Sequence, residues 1–87
     1  MKMIIAILRD VDSEPVTQAL TAGKFRVTRI ASTGGLLRRG ATTLLVGVDD
    51  ERLEAAIQVL KDKSTPAPKG EKRATIFVVP VERFEQV

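Results

Sequence analysis

Six consecutive apolar residues, Met3-Ile-Ile-Ala-Ile-Leu8, constrain this chain more than any other stretch. In a strand, Met3, Ile5 and Ile7 point to one face and Ile4, Ala6 and Leu8 to the other. Both faces are apolar, so both must be covered, and the strand belongs in the middle of a sheet. The run is too short for a membrane span or a signal-peptide core, and no membrane insertion is expected. Arg9 and Asp10 end it.

The segments that follow supply the covering. Asp12 and Ser13 are N-cap candidates for a first helix, with Pro15 in its first turn. Val16, Ala19 and Leu20 make its apolar stripe, and Gly23 is placed to end it. A second strand starts at Phe25, with Phe25 and Val27 on one side and Arg26 and Thr28 on the other. Its alternation fails near Arg29–Ile30, which predicts a bulge or a bend. Thr42–Val48 is a third strand, with Leu44, Val46 and Val48 on one face and Thr43, Leu45 and Gly47 on the other. Asp49 or Asp50 caps a second helix whose stripe is Leu53, Ala56, Ile57 and Leu60. Residues 61–73 are rich in proline, glycine and charge and read as a flexible connector. Ala74–Pro80 is a fourth strand, and Pro80 belongs at a strand end or edge.

Strand, helix, strand, strand, helix, strand is the split βαβ order of the ferredoxin-like α+β fold. It predicts four antiparallel strands with both helices on one face, in a single domain over residues 1–87. The helices cover only one side of the first strand. The other side predicts burial against further copies of the chain in a closed cyclic assembly.

Charge is unevenly placed. The segment 24–40 holds Lys24, Arg26, Arg29, Arg38 and Arg39 and no acid; the rest carries 9 basic against 11 acidic residues. A glycine-bearing loop among guanidinium groups suits a phosphate-bearing ligand. The bland readings stand beside this one. Gly34-Gly35 also fits a turn needing positive φ. Arg26 and Thr28 fit ordinary outward strand residues, Gly47 a packing glycine, and Phe77 a core residue.

With no cysteine and no histidine, thiol chemistry, disulfides and the commonest general base are excluded. The absence of cysteine fits a cytoplasmic setting. Asp49-Asp-Glu51 reads as a helix cap, and no metal is expected. An RNA-recognition sheet needs stacking aromatics, but the chain has no Tyr or Trp, so nucleic acid is not the expected partner. An acylphosphatase-type site needs a water-positioning amide, and there is no asparagine; the chain is not expected to be an enzyme.

Four blocks resemble the PII-like cyclic di-AMP receptors: Met3–Asp12, Phe25–Leu37, Thr42–Asp50 and Ala74–Val81. Together they cover nearly the whole chain outside the connector. The resemblance implies a homotrimer of ferredoxin-like subunits that binds cyclic di-AMP between neighbours. It implies signalling to a regulated protein by loop ordering, with no catalytic residue and no cofactor. It assigns ligand contacts to Arg26 and Thr28 on the second strand and to Thr33, Gly34, Gly35, Leu36 and Leu37 in the loop. Further contacts fall to Ala41, Gly47, Phe77 and Gln86. Two positions depart from the family pattern. Leu36 stands where members carry an aromatic, and Ala41 where they carry asparagine. The connector is also shorter than the long loop common in the family. These departures keep a second expectation open: a PII-like trimer that takes ATP or ADP, or a scaffold without a ligand.

Overall fold

The computed structural model describes residues 1–33 and 40–87, and only the backbone of 31–33. Gly34, Gly35, Leu36 and Leu37, with Arg38 and Arg39, lie outside the described residues. The elements are β1 (Lys2–Arg9), α1 (Asp10–Ala22), β2 (Arg26–Thr33), β3 (Ala41–Val48), α2 (Leu53–Lys63) and β4 (Ala74–Pro80). A 3-10 turn, Asp50–Arg52, leads into α2. The strands form one antiparallel sheet in the order β2-β3-β1-β4, the ferredoxin-like arrangement that the order of segments predicts.

The doubly apolar β1 sits centrally, paired along its length with β3 and β4. Ile4, Ala6 and Leu8 face the helices. They meet Leu44, Val46 and Val48 of β3, Val16 and Leu20 of α1, and Ala56 and Leu60 of α2 in one buried aliphatic core. The opposite side of β1, Met3, Ile5 and Ile7, has no helix over it and is only partly covered within the chain. The predicted loss of alternation is a bulge. Between the pairs Ile30–Thr43 and Thr33–Ala41, β2 advances three residues while β3 advances two.

The helix starts differ from the sequence expectation. Strand β1 runs straight into α1 with Arg9 as the N-cap, so Asp12 and Ser13 lie inside the helix and Pro15 falls in its second turn. Asp12 caps nothing. Its buried carboxylate instead accepts from Arg9 Nη2 at 3.2 Å, from the Thr65 N–H at 3.2 Å and from Thr65 Oγ1 at 2.8 Å. Arg9 Nη2 also donates to the Thr65 carbonyl at 2.6 Å, so the residues just after α2 are tied to the start of α1. At the second helix neither Asp49 nor Asp50 caps through its side chain. Asp50 accepts instead from Lys2 Nζ at 3.3 Å and pairs with the amino terminus of Met1.

The end of α1 is a Schellman motif, with Phe25 N–H donating to the Leu20 carbonyl and Lys24 N–H to the Thr21 carbonyl. The left-handed residue is Lys24, at φ 66°, rather than Gly23. Gly23 serves another purpose: a Cβ there would stand 3.1 Å from the Phe25 ring. Arg52 lies 4.0 Å above that ring and donates to the Gly23 carbonyl at 2.7 Å, placing a cation at the negative end of the helix.

Candidate functional site

Strand register decides which predicted site residues meet. On the face away from the helices, Arg26 stands in one row with Gly47, Met3 and Val79. The next row is Thr28, Leu45, Ile5 and Phe77; the third is Ile30, Thr43, Ile7 and Thr75. Side chains two apart in a strand share a face, so Arg26, Thr28, Gly47 and Phe77 all lie on this open side.

An open groove of about 1280 Å³ lies at one end of it. Arg26, Thr28 and Gly47 line the groove from β2 and β3; Phe84 and Gln86 line it from the C-terminal tail. The tail leaves β4 at a fixed point. Pro80 is in register with Lys2, and the Val81 N–H donates to the Met1 carbonyl at 3.1 Å.

The chemistry of this groove suits an anionic, flat ligand. Arg26 is exposed and has no ion-pair partner among the described residues, so its guanidinium fork is available to a phosphate. Thr28 adds a hydroxyl two residues along. Gly47 has space above it: an added Cβ would meet only Met1 Cε, at 4.0 Å. Packing inside the chain therefore does not require glycine there. The missing side chain instead leaves the backbone open to whatever fills the groove.

The other predicted residues are placed elsewhere. Phe77 is 53% exposed but sits on β4, outside the groove lining. Ala41 begins β3, at the opposite end of that strand from Gly47 and about 20 Å away along it. Thr33 pairs with Ala41 through its backbone beyond the bulge. A second groove, of about 680 Å³, lies beside the start of α1 between Arg9, Asp10, Gly40 and the connector residues Pro68, Glu71 and Lys72. Asp10 binds this region to the strand that follows the loop: its N–H donates to the Gly40 carbonyl, and its carboxylate accepts from Thr42 Oγ1. Among the described residues no group of three acidic side chains is placed to hold a metal ion.

The sequence reading missed Phe84. The tail Val81–Val87 has no periodicity, and only the path of the chain past Met1 brings it over the sheet.

The architecture is that of a small ferredoxin-like α+β protein with an arginine-bearing groove on its open sheet face. The chain belongs to the cyclic-di-AMP receptor family, whose model matches residues 1–69. It is also similar to the crystal structure of a functionally unknown protein from Pediococcus pentosaceus ATCC 25745. That similarity has a TM-score of 0.78 and 32% identity over 99% of this chain and 96% of that one.

Proposed function

We propose that the chain binds cyclic di-AMP in clefts completed by neighbouring copies of a homotrimer, and passes the signal to a protein partner without catalysing a reaction. The observation that carries this is the row Arg26–Gly47 with Thr28 beside it: a cation with no ion-pair partner among the described residues, a hydroxyl and an open stretch of backbone, on a face that none of the described helices covers. The separation of Ala41 from Gly47 supports a shared site. One copy holds these residues at opposite ends of β3, so a cleft using both kinds of contact draws on two copies. The apolar side chains of Met3, Ile5, Leu45 and Phe77 on the same face supply the surface for that association.

In this reading the Arg26 fork and the backbone N–H groups of the 33–37 loop hold the phosphates, and the bases enter beside Gly47. Ordering of the loop, and with it the 61–73 connector, changes the surface offered to the partner. Ligand shifts that balance only by its preference for one loop state. The work is done in the cytoplasm by a one-domain chain.

Titration calorimetry with cyclic di-AMP, ATP and cyclic di-GMP, beside light scattering, tests the proposal. The expected result is saturable binding selective for cyclic di-AMP, near one ligand per chain, by a particle of three 9.5 kDa chains. Arg26→Gln should weaken it at least ten-fold, the loss of one charged hydrogen bond. Leu36 and Ala41 give a second reading its one support, since they remove an aromatic and an amide from the family pattern. If ATP or ADP binds and cyclic di-AMP does not, that second reading holds. A monomer silent to all three ligands would overturn both.

A further inference from the structure

The family match ends at residue 69, before β4 and the tail, where the resemblance assigns contacts to Phe77 and Gln86 but none to Phe84. We infer that Phe84, carried on this tail, is the aromatic platform on which an adenine of the bound nucleotide stacks. The inference rests on the nucleotide-binding reading above and adds a residue and a base-recognition mode to it.

The argument begins with scarcity. The chain has three phenylalanines and no tyrosine or tryptophan. Phe25 is only 8% exposed, in the core and beneath the Arg52 guanidinium. Phe77 stands on β4, with two strands between it and β2, and does not line the groove that holds Arg26. Phe84 does line it, with 56% of its surface exposed. An exposed phenylalanine costs solubility, and here it lies in the same concavity as a phosphate-ready arginine and a glycine with open space above it.

The tail is fixed well enough to present the ring. The β1–β4 ladder and the bond from Val81 to Met1 set the tail's departure three residues before Phe84. The neighbouring Arg83 pairs with Glu85 at 2.8 Å. This leaves the phosphate to Arg26 and the base to Phe84. A π face on the tail also compensates for Leu36, which brings none. Stacking is tolerant of base identity, so Phe84 supplies affinity, while polar groups such as Gln86 supply the choice of adenine.

The test uses the full-length protein and cyclic di-AMP, with ATP as the second probe. Because the ring is exposed, Phe84→Ala should fold and melt like the wild type. It should lose roughly 5- to 150-fold in affinity for whichever nucleotide binds, the usual span for one stacked base. Phe84→Tyr should restore binding and Phe84→Leu should not, since leucine returns bulk without a π face. Phe84→Trp installs the chain's sole tryptophan, and its emission should be quenched as ligand saturates the protein. If the wild type binds and Phe84→Ala or Phe84→Leu binds equally well, the inference fails while the function stands. Unchanged tryptophan emission during binding seen by calorimetry would sink it too. A wild type that binds neither nucleotide overturns the inference together with the reading beneath it.

Discussion

Gly47 separates structural from ligand-driven choice at a single position. Glycine inside a strand costs about 0.5–1 kcal/mol relative to alanine, and the open space above Gly47 leaves nothing for a methyl group to strike. Gly47→Ala should therefore raise the midpoint of thermal unfolding while weakening nucleotide binding in calorimetry. A packing glycine would give the reverse on stability. The two readings of this residue were equally open in the sequence, because spacing shows that a glycine lies in a strand and not what lies over it. Arg26 and Thr28 were more legible. Two-residue alternation put them on one face, and the register then placed them beside Gly47.

Among the elements, β-strand identity and order followed from alternation and apolar runs, and even the irregularity in β2 left a trace in the lost phase near Arg29. The helix starts followed only in part: Asp49 holds the N-cap position of the turn that leads into α2 without a side-chain bond, and Asp12 lies inside α1. Asp12, Asp49 and Asp50 all fit the composition of an N-cap, yet each helix begins where the preceding backbone leads it. The acids Asp12 and Asp50 were drawn to partners far away in sequence. Thr65 lies 53 residues beyond Asp12, a pairing that no local pattern contains. That pairing has a measurable weight. Asp12→Ala would leave the Thr65 N–H and Oγ1 without their carboxylate acceptor and take the ion-pair partner from Arg9. It should cost about 2–3 kcal/mol in urea unfolding, more than an exposed pair such as Arg29–Glu14. The same change should speed amide exchange in the 64–66 segment, which Asp12 and Arg9 hold to α1. The C-terminal tail was illegible for a different reason. Its contacts depend on where β4 ends, and its residues carry no period of their own.

For the molecule as a whole, charge ties the first strand to the approach of α2. Lys2 first, and then the amino terminus, hold the Asp50 carboxyl below its ordinary value of 3.8. A carboxyl depressed by folding stabilises the native state above its unfolded value, and that contribution fades as pH falls through the folded one. Asp50→Asn should thus lower stability at every pH above about 4, and variant and wild type should converge as pH falls below that, as followed by thermal melts across a pH series. The effect should shrink in high salt, because the group is exposed.

The central place of β1 also sets a timetable. The strand that precedes the other three in the chain is the last to be enclosed, since Lys2 pairs with Pro80 and Leu8 with Ala74. Until the final strand leaves the ribosome, Ile5 and Ile7 stand on an open edge, in a fold governed by contacts distant along the chain. A nascent chain stopped before Ala74 should therefore collect in the insoluble fraction, although it contains the whole family-matched segment. The seven residues of β4 act less as an appendage than as the step that closes the sheet over β1.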